Sequence, residues 1–163
     1  SHGIGMEGCR LVLAHLPRVV DDPTDLDSRG QMLIAAAMGA VAFQKGLGGM
    51  HALSHPIGAR FDTHHGMTNA VVMPMVLDFN RAVIEDRINA AAAYLGLKGF
   101  DGFKAAVMAL RAKLGIPANL TALGVKAADL DMLTDMALED PSCGGNPVVM
   151  TRENTRALFA ACM

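Results

Sequence analysis

Tryptophan is absent from this 163-residue chain, tyrosine occurs once, and aromatic residues make up only 4% of it. Its hydrophobic content is carried by Ala, Leu, Met and Val instead. Ala, Leu and Met lose little rotamer freedom in a helix, so this composition favours helices over strands. An excess of either charge is lacking too. Fourteen basic against sixteen acidic residues leave a net charge of −2, which gives no electrostatic reason to expect nucleic acid or an anionic membrane as partner. Long apolar runs are missing. The longest, Met32 to Phe43, is interrupted by Gly39 and falls well short of the roughly 20 residues a bilayer requires. Only three cysteines occur, Cys9, Cys143 and Cys162, with no closely spaced pair. They suit reduced thiols in a cytoplasmic protein better than a disulfide framework. The N-terminus shows neither the basic start nor the cleavage pattern of a signal peptide. It opens on Ser rather than Met, so a longer parent chain is expected.

What is present is a core-rich globular sequence. Hydrophobic residues reach 52% and mean hydropathy is +0.30, enough for one sizeable core in a single domain over residues 1–163. The periodicity is helical nearly throughout. Met6 to Leu16 reads as a helix ending at the Pro17 break. Asp25 to Ser28 can cap a long apolar helix over about residues 28–45. A glycine-rich turn, Gly46 to Gly49, precedes a short helix from Met50 to Gly58. Further helices are expected over Gly66 to Phe79 (interrupted by Pro74), Ala82 to Leu95, Gly102 to Leu114 and Lys126 to Leu138, with a last one starting at Thr151. Val71–Met73 and Pro147–Met150 could pass for strands, but too isolated to build a sheet. Asp140 to Pro147 is an irregular loop. The expected fold is an all-α, multi-helix bundle.

Four of the six histidines, His51, His55, His64 and His65, fall between positions 51 and 65 among glycines and apolar residues. Neutral imidazole is the commonest metal ligand and the usual proton carrier near pH 7. On a helix, His51 and His55 stand at i and i+4 and share one face. His65 opens the next helix, so a metal could be held from two directions. A zinc-peptidase helix would need Glu directly after the first His as general base, and Ala52 stands there. His2 and His15 read as solvent-facing or capping residues, and His64 alone could be an exposed turn.

The run Gly46-Leu-Gly48-(x)2-His51-Ala-(x)2-His55-Pro-(x)-Gly58-Ala59, followed by His65-Gly66-(x)2-Asn69-Ala70-(x)3-Pro74-(x)4-Phe79-Asn80, resembles the signature of the iron-containing alcohol dehydrogenases. Asp140-Pro-(x)5-Pro147 with Thr151-(x)-Glu153 resembles the C-terminal end of that family. The resemblance implies the helical C-terminal domain of an NAD(P)-dependent oxidoreductase that interconverts a small alcohol and an aldehyde or ketone. By the same resemblance, His51 and His65 are metal ligands, for Fe(II) or Zn. His55 lies near the nicotinamide and assists proton transfer, and Phe43 and His64 shape the substrate pocket.

The family's remaining ligands, an Asp and a His one helical turn apart, have no counterpart here. Asp21 and Asp25 follow the wrong helix and His2 does not match. No glycine-rich phosphate turn follows a strand, so the nucleotide-binding domain is absent as well. This chain alone is therefore expected to be inactive or nearly so, and to self-associate as a homo-oligomer through the cleft wall it exposes. The competing expectation is a helical interaction or scaffold module that kept the fold and lost catalysis.

Overall fold

Seven α-helices and three short 3-10 turns make up the chain, and no strand forms. The computed structural model describes all residues from Ser1 to Met163. In chain order the helices are α1 (His2–Asp21), α2 (Leu26–Phe43), α3 (Gly49–Phe61), α4 (His65–Tyr94), α5 (Gly99–Lys113), α6 (Leu130–Glu139) and α7 (Arg152–Ala161). The all-α expectation holds. Val71–Met73 lies inside α4, and Pro147–Met150 is a connection with no partner strand.

Two prolines do not end helices as their sequence positions suggest. Pro17 lies inside α1, which continues to Asp21 and closes with the Asp22 N–H on the Arg18 carbonyl at 2.7 Å. Proline removes one donor and crowds one carbonyl, but the residues after it still bond normally. Pro74 is fully buried inside α4, and the two helices expected over 66–79 and 82–95 are one helix of 30 residues. No glycine lies between Phe79 and Ala82 to stop it, and the Asn80 side chain is engaged by Asn146 rather than capping a helix end.

The chain divides into two compact units: residues 1–45 with 86–115, and residues 46–85 with 116–163. In the first, α1 and α2 form an antiparallel hairpin. Asp25 caps α2, accepting from the Ser28 backbone N–H at 2.9 Å and the Ser28 hydroxyl at 2.7 Å. Arg18 pairs with the same carboxylate at 3.0 Å, and His15 reaches the buried Ser28 hydroxyl at 3.1 Å. Gly8 lets the helices approach: a Cβ there would lie 3.5 Å from Cβ of Met38. The outer face of α2 stays apolar, with Leu33 74% and Val41 54% exposed. No helix is long and apolar enough to cross a membrane.

The second unit holds the principal core. Ala52, Leu53 and Ile57 of α3, Val71, Val72 and Val76 of α4, Leu130, Leu133 and Ala137 of α6, and Leu158, Phe159 and Cys162 at the C-terminal end pack into one cluster. Burying a Leu or Ile side chain fully is worth about 1.5–3 kcal/mol, so this cluster fixes α3 against α6, which in turn packs against α7. α7 begins with a reciprocal cap, Thr151 N–H on Asn154 Oδ1 at 2.8 Å and Asn154 N–H on Thr151 Oγ1 at 3.3 Å. All three cysteines are free thiols.

Candidate metal and proton-transfer site

The site stands on the second unit and begins with the two faces of α3. Ala52, Leu53, Pro56 and Ile57 recur at helical spacing and are buried, so they turn the opposite stripe, His51 and His55, toward the open side. The start of the helix is pinned by a side chain from the far end of the chain. Asn146 Oδ1 accepts from the Gly49 N–H at 3.0 Å and from Asn80 Nδ2 at 2.9 Å, while Asn146 Nδ2 donates to Asn80 Oδ1 at 2.8 Å. A Cβ on Gly49 would lie 2.9 Å from Asn146 Oδ1, and Gly145 packs against the Leu47 carbonyl too closely for any Cβ. The glycine-rich turn is thus needed for the close approach of the loop carrying Asn146.

His65 arrives from α4. The imidazoles of His51, His55 and His65 converge, with ring centroids 5.2 Å apart for His51 and His65, 5.5 Å for His55 and His65, and 5.6 Å for His51 and His55. Asn69, one turn after His65, places its Nδ2 3.0 Å from His65 Nε2 and 3.4 Å from His51 Nε2. Burial pushes the His51 pKa below the ordinary imidazole value, and positive charge on His65 or His55 pushes it the same way. Asp140 opposes the shift without reversing it. Both downward effects favour the neutral ring of His51, the form that ligates a metal.

Asp140 was not among the site residues expected from the sequence. It stood there in an irregular loop and in the pattern resembling the family's C-terminal end, with no role assigned, yet its Oδ2 accepts from His55 Nδ1 at 2.8 Å and its Oδ1 from the Ser142 N–H at 2.8 Å. Burial raises the Asp140 carboxyl, but the Ser142 N–H and the His55 ring outweigh it and hold it below the usual carboxylate range. No spacing rule links residues 85 positions apart; the local signal was the Asp-Pro-Ser turn, whose Asx geometry orients the carboxylate.

The other named residues are placed more simply. His64 is exposed and precedes α4, where its Nδ1 accepts from the Met67 N–H at 3.3 Å, so it serves as a helix cap. Phe43 is the last residue of α2, in the first unit, and is half exposed. His51 and His65 fit as two imidazole ligands of a divalent metal, a donor type suited to iron and zinc alike. They are not a whole site: no group of three or more His, Cys, Asp or Glu side chains in this chain is placed to hold a metal ion. The buried Asn69 Oδ1 beside them has no hydrogen-bond partner, so the polar set there is left incomplete.

Residues 2–163 match the model of the Fe-containing alcohol dehydrogenase family, C-terminal. The chain belongs to that family. It is 35% identical over 172 aligned positions to 4-hydroxybutyrate dehydrogenase of Cupriavidus necator, covering 100% of this chain and 45% of that protein. It is 33% identical to NAD-dependent methanol dehydrogenase of Bacillus methanolicus, over 93% of this chain and 42% of the relative. A solved structure of 1,3-propanediol oxidoreductase superposes with a TM-score of 0.94 at 28% identity, over 99% of this chain and 44% of that one. The chain therefore spans under half the length of these family members.

Proposed function

We propose that this chain supplies the metal-ligating and proton-transferring side chains of an NAD(P)-dependent dehydrogenase acting on a small alcohol. The observation that carries this reading is the convergence of His51 Nε2 and His65 Nε2 on one point, marked by Asn69 Nδ2 at 3.4 and 3.0 Å. The His55 ring lies beside both. Family membership and relatives named as 4-hydroxybutyrate and methanol dehydrogenases support the alcohol substrate.

His51 and His65 would hold Fe(II) or Zn, and such an ion, when bound, polarises an alcohol or carbonyl oxygen as a Lewis acid. His55 exchanges the hydroxyl proton. Its Nδ1 is engaged by Asp140, which leaves Nε2 as the atom that takes or gives that proton. Nicotinamide would bind against His55 on this reading. His64 would contribute to the substrate pocket.

Titrating the purified chain with Zn(II) or Fe(II) by calorimetry tests the ligand assignment. One saturable site is expected, lost in His51→Ala and in His65→Ala and retained in His55→Ala. Binding indifferent to the first two substitutions would sink the proposal. The apolar face of α2 extends it to self-association. Leu33→Lys with Val41→Glu should shift the chain toward monomer in sedimentation velocity, and an unchanged monomer in both forms would exclude that role.

A further inference from the structure

Asn69 marks the point where the two proposed ligands meet, and its amide nitrogen lies within hydrogen-bond distance of both. An amide nitrogen can only donate. With Nδ2 3.0 Å from His65 Nε2 and 3.4 Å from His51 Nε2, both ring nitrogens must accept. Each ring is then the tautomer that carries its proton on Nδ1, with a free lone pair on Nε2 aimed at the shared amide. Turning the amide over would need a proton on both Nε2 atoms and would orphan a buried nitrogen. As it stands, only the Oδ1 acceptor lacks a partner.

We infer that Asn69 is a positioning residue for the metal half-site: its amide holds both imidazoles in the tautomer protonated on Nδ1, the form that leaves Nε2 as the ligating nitrogen. This rests on His51 and His65 being the ligands proposed above. Asn69 is well placed for the task, since it stands one turn after His65 on α4 and follows the buried Thr68. The Thr68 hydroxyl bonds Thr63 Oγ1 at 2.7 Å and the His64 carbonyl at 3.1 Å, anchoring this first turn.

The metal-free chain, labelled with 15N in its histidines and held at about pH 8.5 where imidazoles are neutral, reports the tautomers directly by NMR. Both His51 and His65 should carry the proton on Nδ1 in the wild type. In Asn69→Ala at least His65 should revert to the Nε2-protonated form that free imidazole favours. Nε2 protonation of both rings in the wild type, or unchanged tautomers in Asn69→Ala, would overturn the inference. The Zn(II) titration described above is the separate test of the ligand assignment. Absence of Zn(II) binding together with the expected tautomers would count against the proposed function while upholding the Asn69 pairing.

Discussion

His55 and Asp140 are 85 residues apart in sequence and 2.8 Å apart in space, Nδ1 to Oδ2. The carboxylate reaches the ring from the loop after α6, and the same loop pins the start of α3 through Asn146. One connection thus sets both the orientation of the proton carrier and the position of the helix that bears it.

Asp140→Asn should destabilise the chain by about 1 kcal/mol at neutral pH, the scale of one charge-assisted bond in a half-open setting. The folded Asp140 pKa is depressed. Its contribution is therefore complete above the unfolded value of about 3.9 and is lost as pH falls through the lower folded value. Urea midpoints of wild type and variant should converge as pH drops below about 4. A constant difference down to pH 2 would rule out this carboxylate as the source.

The paired amides of Asn80 and Asn146 satisfy each other inside the second unit. Asn146→Ala removes the acceptor of the Gly49 N–H and of Asn80 Nδ2, while Asn80 Oδ1 keeps the Val148 N–H at 3.3 Å, and a cost of about 2–3 kcal/mol is expected. Gly49→Ala alone should also destabilise, because its Cβ would meet Asn146 Oδ1 at 2.9 Å. In the Asn146→Ala background that clash disappears, so a double-mutant cycle should return an interaction energy of at least about 0.5 kcal/mol. Strict additivity would show that the clash is absorbed elsewhere.

Leu53 is fully buried on the back of the helix that carries His51 and His55. Leu53→Ala should cost about 2–5 kcal/mol, the range for a core leucine. Guanidinium melts should show that loss with Zn(II) affinity falling alongside it, since α3 is positioned by this contact. Full stability after the substitution would mean the core does not define the helix position.

Glu7, Arg10 and Tyr94 form a surface triad in the first unit. Glu7 accepts from Arg10 at 2.6 and 2.7 Å and from the Tyr94 hydroxyl at 2.6 Å. The Arg10 guanidinium, with the hydroxyl, lowers the Glu7 pKa to about 2. The triad therefore stabilises above the unfolded Glu value of about 4.3, and that contribution fades as pH falls toward the folded value. Tyr94→Phe should raise the Glu7 pKa in a carboxyl NMR titration, and an unchanged curve would discount the hydroxyl.

Helix content, the α3 stripe and the pairing of His51 with His55 were legible because they follow from periodicity and i, i+4 spacing, which are local properties. The Asp25 cap was legible for the same reason. Pro17 and Pro74 misled because proline's local penalty was outweighed by the packing of the helix around it. Asp140, the Asn80–Asn146 pair and the Asn69 fork were not legible as a site, since each depends on which elements meet.

By itself, then, the sequence determined an all-α chain, the family signature and a cluster of imidazoles, all written in residue type and short-range spacing. Only the tertiary structure decided which nitrogens face one another. Burial of Leu53 and Ile57 on the back of α3 turns His51 and His55 outward, and the rigid first turn of α4 sets His65 and Asn69 against them. Side-chain direction at that precision is a product of packing, because short-range spacing does not fix the orientation of a ring contributed by another helix.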